Sequence, residues 1–162
     1  MNTAIYPGTF DPITYGHIDV IKKSLNVFDR VIVATTDNIN KNYHFSIEDR
    51  LKIINNSLFK DLKFSKHKIK VVSFDDLTID LCKKYKASTI IRGLRAVSDF
   101  EYEFQLAGMN KKLNSKIETM FLMSDVENQI ISSKFVKEIA SLGGNIDRFV
   151  TRSTVKMLKN RI

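Results

Sequence analysis

The chain alternates short runs rich in β-branched residues with stretches of helical periodicity. Ala4–Tyr6 is short and apolar and is followed by the breakers Pro7 and Gly8, whereas Val31–Thr35 has the composition of a buried strand. The stretch between these two runs is predicted to be a helix, because apolar residues recur there every three or four positions. Those residues are Ile18, Ile21, Leu25 and Phe28.

The same alternation continues to the end of the chain. Further strands are predicted at Ile69–Phe74, Thr89–Ile91 and Thr119–Met123. Helices are predicted from Ser46, from Leu77 to Tyr85, from Ser98 to about Leu113, from Ser132 or Ser133 to near Gly143, and from Ser153. The pairs Ser46 with Asp49 and Ser98 with Glu101 have the spacing of N-terminal capping boxes.

Five alternations of strand and helix predict an α/β fold. We expect a doubly wound, Rossmann-like, five-stranded parallel sheet with helices on both faces and a short C-terminal helix. A length of 162 residues without repeats or linkers fits one domain over residues 1–162. In such sheets ligands bind beyond the carboxyl ends of the strands, where the strand order reverses, so the residues after each strand are candidates for function.

Composition narrows the class of protein further. No apolar run approaches the ~20 residues of a membrane span, and the N-terminus does not resemble a signal peptide. Cys82 is the only cysteine, which excludes an intrachain disulfide and a cysteine metal cluster and suits a cytoplasmic location. The net charge of +8 suits anionic partners, either nucleic acid or small phosphorylated molecules, or reflects only a lysine-rich surface.

The first candidate motif follows the first predicted strand and reads Tyr-Pro-Gly-Thr-Phe-Asp-Pro-Ile-Thr-Tyr-Gly-His from Tyr6 to His17. Gly8 and Gly16 carry no side chain, so we expect the backbone to approach a ligand closely there. His17 lies at the start of a helix, whose N–H groups and positive dipole end favour phosphate, and Thr9 can donate its hydroxyl. A lone histidine at a helix start ordinarily bonds only water or a carbonyl, but the flanking glycines favour a functional role.

The second candidate motif is Arg92-Gly93-Leu94-Arg95 at the end of the fourth predicted strand. The guanidinium of arginine is a fixed fork of donors that matches phosphate oxygens. Either arginine could instead form a structural ion pair with an acidic residue of the following segment. These are Asp99, Glu101 and Glu103.

The third candidate motif, Ile130-Ile131-Ser132-Ser133-Lys134, opens a helix after the fifth predicted strand. Hydroxyls and backbone amides at a helix start can hold a second anion. Taken alone, two serines before a helix ordinarily form only a cap.

These motifs together resemble one family. Thr14-Tyr15-Gly16-His17 resembles the (His/Thr)-x-Gly-His signature of the nucleotidyltransferase superfamily, and the wider run to His17 resembles the bacterial phosphopantetheine adenylyltransferase family. The second and third motifs, with the Asp-Phe-Glu-Tyr-Glu segment up to Glu103, resemble the same family. The third departs from it, because Lys134 replaces a serine and Asn128-Gln129-Ile130 stands where an aromatic residue, a serine and Phe are common.

The resemblance implies reversible transfer of an adenylyl group from ATP to 4′-phosphopantetheine, giving dephospho-coenzyme A and pyrophosphate, in a cytoplasmic homohexamer. It implies His17, Thr9, Lys41 and Arg92 as catalytic residues, with His17 stabilising the transition state. The implied acceptor-binding residues are Thr9, Lys41, Thr78 and Arg92. The implied ATP-binding residues are Thr9, Phe10, His17, Gly93, Leu94, Arg95, Glu103, Asn128, Gln129, Ile130, Ile131, Ser132, Ser133 and Lys134.

Direct attack by the acceptor phosphate is expected, because no residue set resembles an activated nucleophile with its base. Mg²⁺ is expected to arrive on the triphosphate, because no pair of carboxylates is obviously reserved for it, and no protein metal ligand is predicted. Three alternatives stay open: a related enzyme with another nucleotide or acceptor, a noncatalytic nucleotide-binding relative, and a basic nucleic-acid-binding module. Because the chain has no recognisable nucleic-acid motif, we do not expect nucleic acid as a partner. We do not expect a membrane as a partner either, because no apolar run approaches the length of a membrane span.

Overall fold

The computed structural model describes residues 1–38, 42–95 and 97–161 and contains one parallel sheet. The five strands lie in the order β3-β2-β1-β4-β5. Their bounds are β1 Thr3–Gly8, β2 Arg30–Thr36, β3 Ile69–Phe74, β4 Thr89–Leu94 and β5 Glu118–Met123. The strand order reverses between β1 and β4, so the sheet has the topological switch point at which ligands bind in such folds.

Helices cover both faces of the sheet. Their bounds are α1 Tyr15–Ser24, α2 Ile47–Asn55 with a π-helical continuation Asn56–Asp61, α3 Thr78–Tyr85, α4 Val97–Leu113, α5 Val126–Gln129, α6 Ser133–Ser141 and α7 Arg152–Lys159. The doubly wound α/β fold and the short C-terminal helix are therefore confirmed.

The core consists of two layers separated by the sheet. Alternate residues of β1 point to opposite faces, with Ala4 and Tyr6 in one buried cluster and Ile5 in the other. The second cluster includes Cys82 of α3, which is buried. Within the described ranges, no helix is long and apolar enough to cross a membrane.

Two predicted strand ends were wrong. β1 continues through Pro7 and Gly8, although Pro7 lacks an N–H group, because the pairing of β1 with β4 ends at Ile5 before proline is reached. β4 continues to Leu94, so that Arg92 lies inside the strand and not after it. The Arg92 side chain therefore extends from a residue that is paired with β5.

Two predicted helix caps are confirmed, a third is wrong, and one short helix was not predicted. The hydroxyls of Ser46 and Ser132 accept backbone N–H bonds at the starts of α2 and α6, as predicted. Ser98 is not an N-cap, because α4 already begins at Val97. The four-residue helix α5 was not predicted, since a single turn is too short to show apolar periodicity.

Candidate functional site

An open cleft of about 970 Å³ lies at the carboxyl ends of the strands. It is of the size expected for a small-molecule site. His17 and Arg92, which come from opposite sides of the switch point, both line it. The predicted site residues that line the cleft are Thr9, Phe10, His17, Thr78, Arg92, Gly93, Arg95, Glu103, Ile131, Ser132, Ser133 and Lys134.

Some predicted site residues do not line this cleft. Lys41 lies outside the described residues. Leu94, Asn128, Gln129 and Ile130 are described but are not part of the lining, and the side chain of Ile130 is exposed to solvent. A role for these residues in ATP binding stays a prediction.

His17 occupies the first turn of α1, and its ring is held in one orientation. Its Nδ1 lies 3.0 Å from both the backbone nitrogen and the hydroxyl oxygen of Thr14. Because the backbone N–H can only donate, Nδ1 accepts and the proton of a neutral ring sits on Nε2. Burial, reinforced by the nearby Arg95 guanidinium, lowers the pKa of His17 to about 4. The side chain is therefore a neutral hydrogen-bond donor at physiological pH.

The turn after β1 packs tightly against this histidine. Phe10 is buried in a left-handed backbone conformation with φ of 47°, and its ring contacts His17 edge-to-face at a centroid distance of 5.1 Å. A Cβ placed on Gly8 would lie 2.8 Å from the Phe10 ring. Internal packing thus favours glycine at position 8, which also lines the cleft, and close approach of a ligand to its backbone stays a prediction.

Gly16 also permits close packing within the protein. A Cβ at this position would lie 3.3 Å from the carbonyl oxygen of Asn128 and 3.4 Å from that of Ile131. The first turn of α1 can therefore pack directly on the backbone of the third motif. In this way Gly16 brings the first and third motifs together at the same end of the cleft.

Arg92 and Glu103 form a two-point ion pair across the cleft wall. The Nε and Nη2 atoms of Arg92 lie 2.6 and 2.5 Å from the two carboxylate oxygens of Glu103, and Nη1 donates to the carbonyl of Pro7 at 3.1 Å. Burial alone would lower the pKa of Arg92, but the Glu103 carboxylate outweighs it and raises the pKa. These bonds use three of the five guanidinium N–H groups, as far as the described residues go, and leave two for a phosphate.

Arg95 is paired as well. Its Nε lies 3.4 Å from Asp99, and its Nη1 donates to the carbonyl of Ile131 at 3.3 Å. The ion pairs that the sequence left open as alternatives are thus present for both arginines. Both arginine side chains line the cleft even though they form these ion pairs.

The start of α6 closes the other end of the cleft. Ser132 caps the helix, and the hydroxyl of Ser133 donates to the carbonyl of Pro12 at 2.8 Å. Both interactions anchor the third motif, and Lys134 extends from it as an exposed side chain. Lys137, which sequence reasoning missed, lines the cleft one turn later and lies 3.3 Å from the buried carboxylate of Asp11.

A further anchor holds the segment between β5 and α6 to α1. The ammonium of Lys23 lies 2.7 Å from the carbonyl oxygen of Met123 and 2.7 Å from Asp125. The carboxylate of Asp19 accepts the Asp125 N–H at 2.6 Å. The sequence gives no sign of this anchor, because Asp19 and Lys23 have the four-residue spacing of an ordinary ion pair on a helix surface.

Four cations line the described part of the cleft: Arg92, Arg95, Lys134 and Lys137. Among the described residues, no group of three or more His, Cys, Asp or Glu side chains is placed to hold a metal ion. The cleft thus offers fixed N–H donors and positive charge, which can bind phosphate groups and stabilise charge that develops on them.

The parallel sheet with a cation-lined cleft at its switch point is the architecture of a doubly wound α/β protein with a ligand site suited to phosphate groups. The model of the cytidylyltransferase-like family matches residues 5–139. The structure of Plasmodium falciparum nicotinic acid mononucleotide adenylyltransferase complexed with NaAD has the same fold, with a TM-score of 0.72 and 18% identity over 98% of this chain and 95% of that chain.

Two curated relatives are much more similar in sequence. The phosphopantetheine adenylyltransferase of Pelagibacter ubique is 67% identical over 98% of this chain and 96% of the relative. That of Rhizorhabdus wittichii is 46% identical over 100% of this chain and 95% of the relative. The chain belongs to the cytidylyltransferase-like family and, within it, to the phosphopantetheine adenylyltransferases.

Proposed function

We propose that this chain is an enzyme that transfers an adenylyl group from ATP to 4′-phosphopantetheine, releasing pyrophosphate and forming dephospho-coenzyme A. Family membership supports the substrates. The observation that carries the proposal is that His17 of α1 and Arg92 of β4 line the same cleft. Two phosphorylated molecules could therefore meet there.

The reaction is a direct displacement in this proposal. A phosphate oxygen of the acceptor attacks the α-phosphorus of ATP, the bond to the bridging oxygen of pyrophosphate breaks, and pyrophosphate leaves with the electron pair. Nε2–H of His17 and the hydroxyl of Thr9 donate to the α-phosphate oxygens as negative charge develops in line. No proton has to leave the attacking phosphate oxygen when it is ionised, so the neutral His17 is suited to donation and not to base catalysis.

The remaining roles of the described residues follow the position of each side chain, whereas the role of Lys41 follows the family resemblance. Arg92 uses its two remaining N–H groups for the acceptor phosphate, together with Lys41. Thr78, at the start of α3, contacts the acceptor arm, and Arg95 with the start of α6 contacts the triphosphate. Glu103 acts first as the partner that fixes Arg92, and its contact with ATP is secondary.

ATP enters as its magnesium complex in this proposal. The carboxylate of Asp11 is an unsuitable resident ligand, because its oxygens already accept the backbone N–H groups of His44 and Phe45 and contact Lys137. Among the described residues no group of three or more His, Cys, Asp or Glu side chains is placed to hold the cation, so it would come with the nucleotide and would neutralise charge on the phosphates.

We also propose a homohexamer that works in the cytoplasm. Large apolar side chains on α4, including Phe104, Met109 and Leu113, are more than half exposed, which supports assembly with further copies of the chain. Nucleic acid is not a partner in this proposal, because the cations of the cleft are paired or face a pocket of small-molecule size.

Pyrophosphate release tests the proposed function. We expect release from ATP in the presence of phosphopantetheine and only background release with unphosphorylated pantetheine, because the phosphate supplies the attacking oxygen. A parallel assay with CTP should give much slower release. Equal rates with the two acceptors would mean that the acceptor phosphate is not the nucleophile, and a preference for CTP would refute the adenylyl assignment.

A further inference from the structure

Arg50 is a charged side chain with no exposed surface. It lies on α2, on the same buried face as Ile53 and Ile54. Its guanidinium reaches the carboxyl ends of β1 and β2, next to the cleft. Burying a cation is unfavourable unless its N–H groups are hydrogen-bonded, so the partners of Arg50 define what it does.

The guanidinium binds segments that are far apart in the sequence. Nη1 donates to the carbonyl of Thr9 at 3.1 Å and to that of Thr36 at 2.7 Å. Nη1 also lies 3.2 Å from the hydroxyl of Thr35, which itself donates to the Thr9 carbonyl at 3.0 Å. One nitrogen thus joins the turn after β1, which carries Thr9, to the end of β2.

The same side chain holds both flanks of the connection from β2 to α2. On the first flank, Nη2 lies 3.2 Å from Asp37. On the second, Nε donates to the carbonyl of Phe45 at 3.2 Å, and the guanidinium carbon lies 3.8 Å from the centre of the Tyr43 ring. The Tyr43 hydroxyl accepts the N–H of Asn38 at 2.9 Å, so the flanks are also joined to each other.

Asp11 completes this arrangement from the other side. Its carboxylate accepts the backbone N–H of Phe45 at 2.9 Å, while Arg50 binds the Phe45 carbonyl. One residue of the loop is therefore fixed by two buried charged side chains, and Asp11 itself belongs to the first motif. Three of the hydrogen-bond partners that Arg50 has among the described residues are backbone carbonyls, and two of these, Thr9 and Thr36, belong to residues that line the cleft. This is the pattern of a side chain that sets geometry.

We propose that Arg50 is a positioning residue for adenylyl transfer. It holds the Thr9 turn in fixed relation to the end of β2, to Asp37 and to Phe45, so that Thr9 stays in place to act on the α-phosphate. This inference rests on the proposed function, in which Thr9 donates to the α-phosphate oxygens. A misplacement of about 1 Å in such a site can cost about 10²-fold in rate.

Arg50→Lys tests the inference, because lysine retains the charge but cannot retain the planar fork or the stacking on Tyr43. We expect turnover to fall about 10- to 10²-fold, while the affinity for ATP changes little, because the Thr9 contact strengthens only as charge develops on the α-phosphate. Pyrophosphate release, ATP titration and thermal unfolding are measured on the same preparation. A purely structural role would lower the unfolding temperature and leave the turnover of the folded enzyme unchanged, which would overturn the proposal.

Arg161→Lys is the matched control. Arg161 donates to the carbonyl of His44, pairs with Asp49 and lies 5.3 Å from the centre of the Phe45 ring, but it contacts neither Thr9 nor β2. Turnover of this variant should equal that of the wild type. A loss as large as that of Arg50→Lys would show that any disturbance of the loop suffices and would overturn the specific role of Arg50.

Thr35→Val carries the test if Arg50→Lys does not fold. Valine keeps the branched shape at this strand position but removes the hydroxyl that connects Arg50 to the Thr9 carbonyl. Reduced turnover supports the proposal, and wild-type turnover overturns it. If the wild type releases no pyrophosphate at all, the proposed function fails as well, whereas an active wild type with a fully active variant overturns only the inference on Arg50.

Discussion

Replacing His17 with alanine should lower the turnover of adenylyl transfer by about 10²- to 10³-fold, the usual loss when one transition-state donor is removed. The reason is geometric, since Thr14 binds Nδ1 and leaves Nε2–H as the donor toward the cleft. The KM for ATP should change little, because the interaction strengthens only as charge develops on the α-phosphate. Steady-state kinetics of pyrophosphate release would measure both quantities.

His17→Gln is the matched control for this variant. The glutamine amide can still donate from a similar position, so it should recover part of the turnover lost in the alanine variant. The wild-type rate should show no titration of His17 between about pH 5 and 8, because the pKa of this ring lies near 4 and the neutral form predominates above it. Near-normal turnover of a folded His17→Ala enzyme would remove His17 from the mechanism.

Replacing Arg92 with alanine should raise the acceptor KM by about 10²-fold or more, because two hydrogen bonds to a charged group are lost and each contributes about 1.5–3 kcal/mol. The same change should lower the free energy of unfolding by about 1.5–3 kcal/mol, because the Glu103 carboxylate loses both of its Arg92 bonds. Acceptor kinetics and denaturant unfolding measure the two effects separately.

Glu103→Gln distinguishes the two consequences. It removes the charge of the partner but leaves Arg92 available for the acceptor, so it should affect the acceptor KM less than Arg92→Ala does. An acceptor KM that is unchanged in Arg92→Ala would contradict the proposed phosphate contact. In that case the ion pair with Glu103 would be the whole role of Arg92.

The fold could be predicted because each of its signals is local. Runs such as Val31–Thr35 and Ile69–Phe74 are rich in β-branched residues and lie between helical stripes, which specifies parallel strands with helices on both faces. The ends of strands were harder to predict. The extension of β1 through Pro7 depends on where its pairing with β4 ends, and no property of Pro7 itself reveals this.

The motifs of the site could be predicted from the sequence, but the residues that hold these motifs in place could not. His17, Arg92 and Ser132 lie beside breakers or helix starts and were therefore visible in the sequence. Arg50 and Lys23 were not, since a basic residue in a helix ordinarily faces solvent. Their partners lie as many as 41 residues away for Arg50 and 102 residues away for Lys23, so only the folded structure brings them together.

The stereochemistry at the α-phosphorus tests the central claim, which is that one cleft holds both phosphorylated molecules during a single displacement. The measurement uses ATP made chiral by sulfur at the α-phosphorus, with phosphopantetheine as the acceptor. Attack by the acceptor phosphate predicts inversion of configuration in the product. Retention would require an intermediate in which the enzyme itself carries the adenylyl group, and would contradict the mechanism.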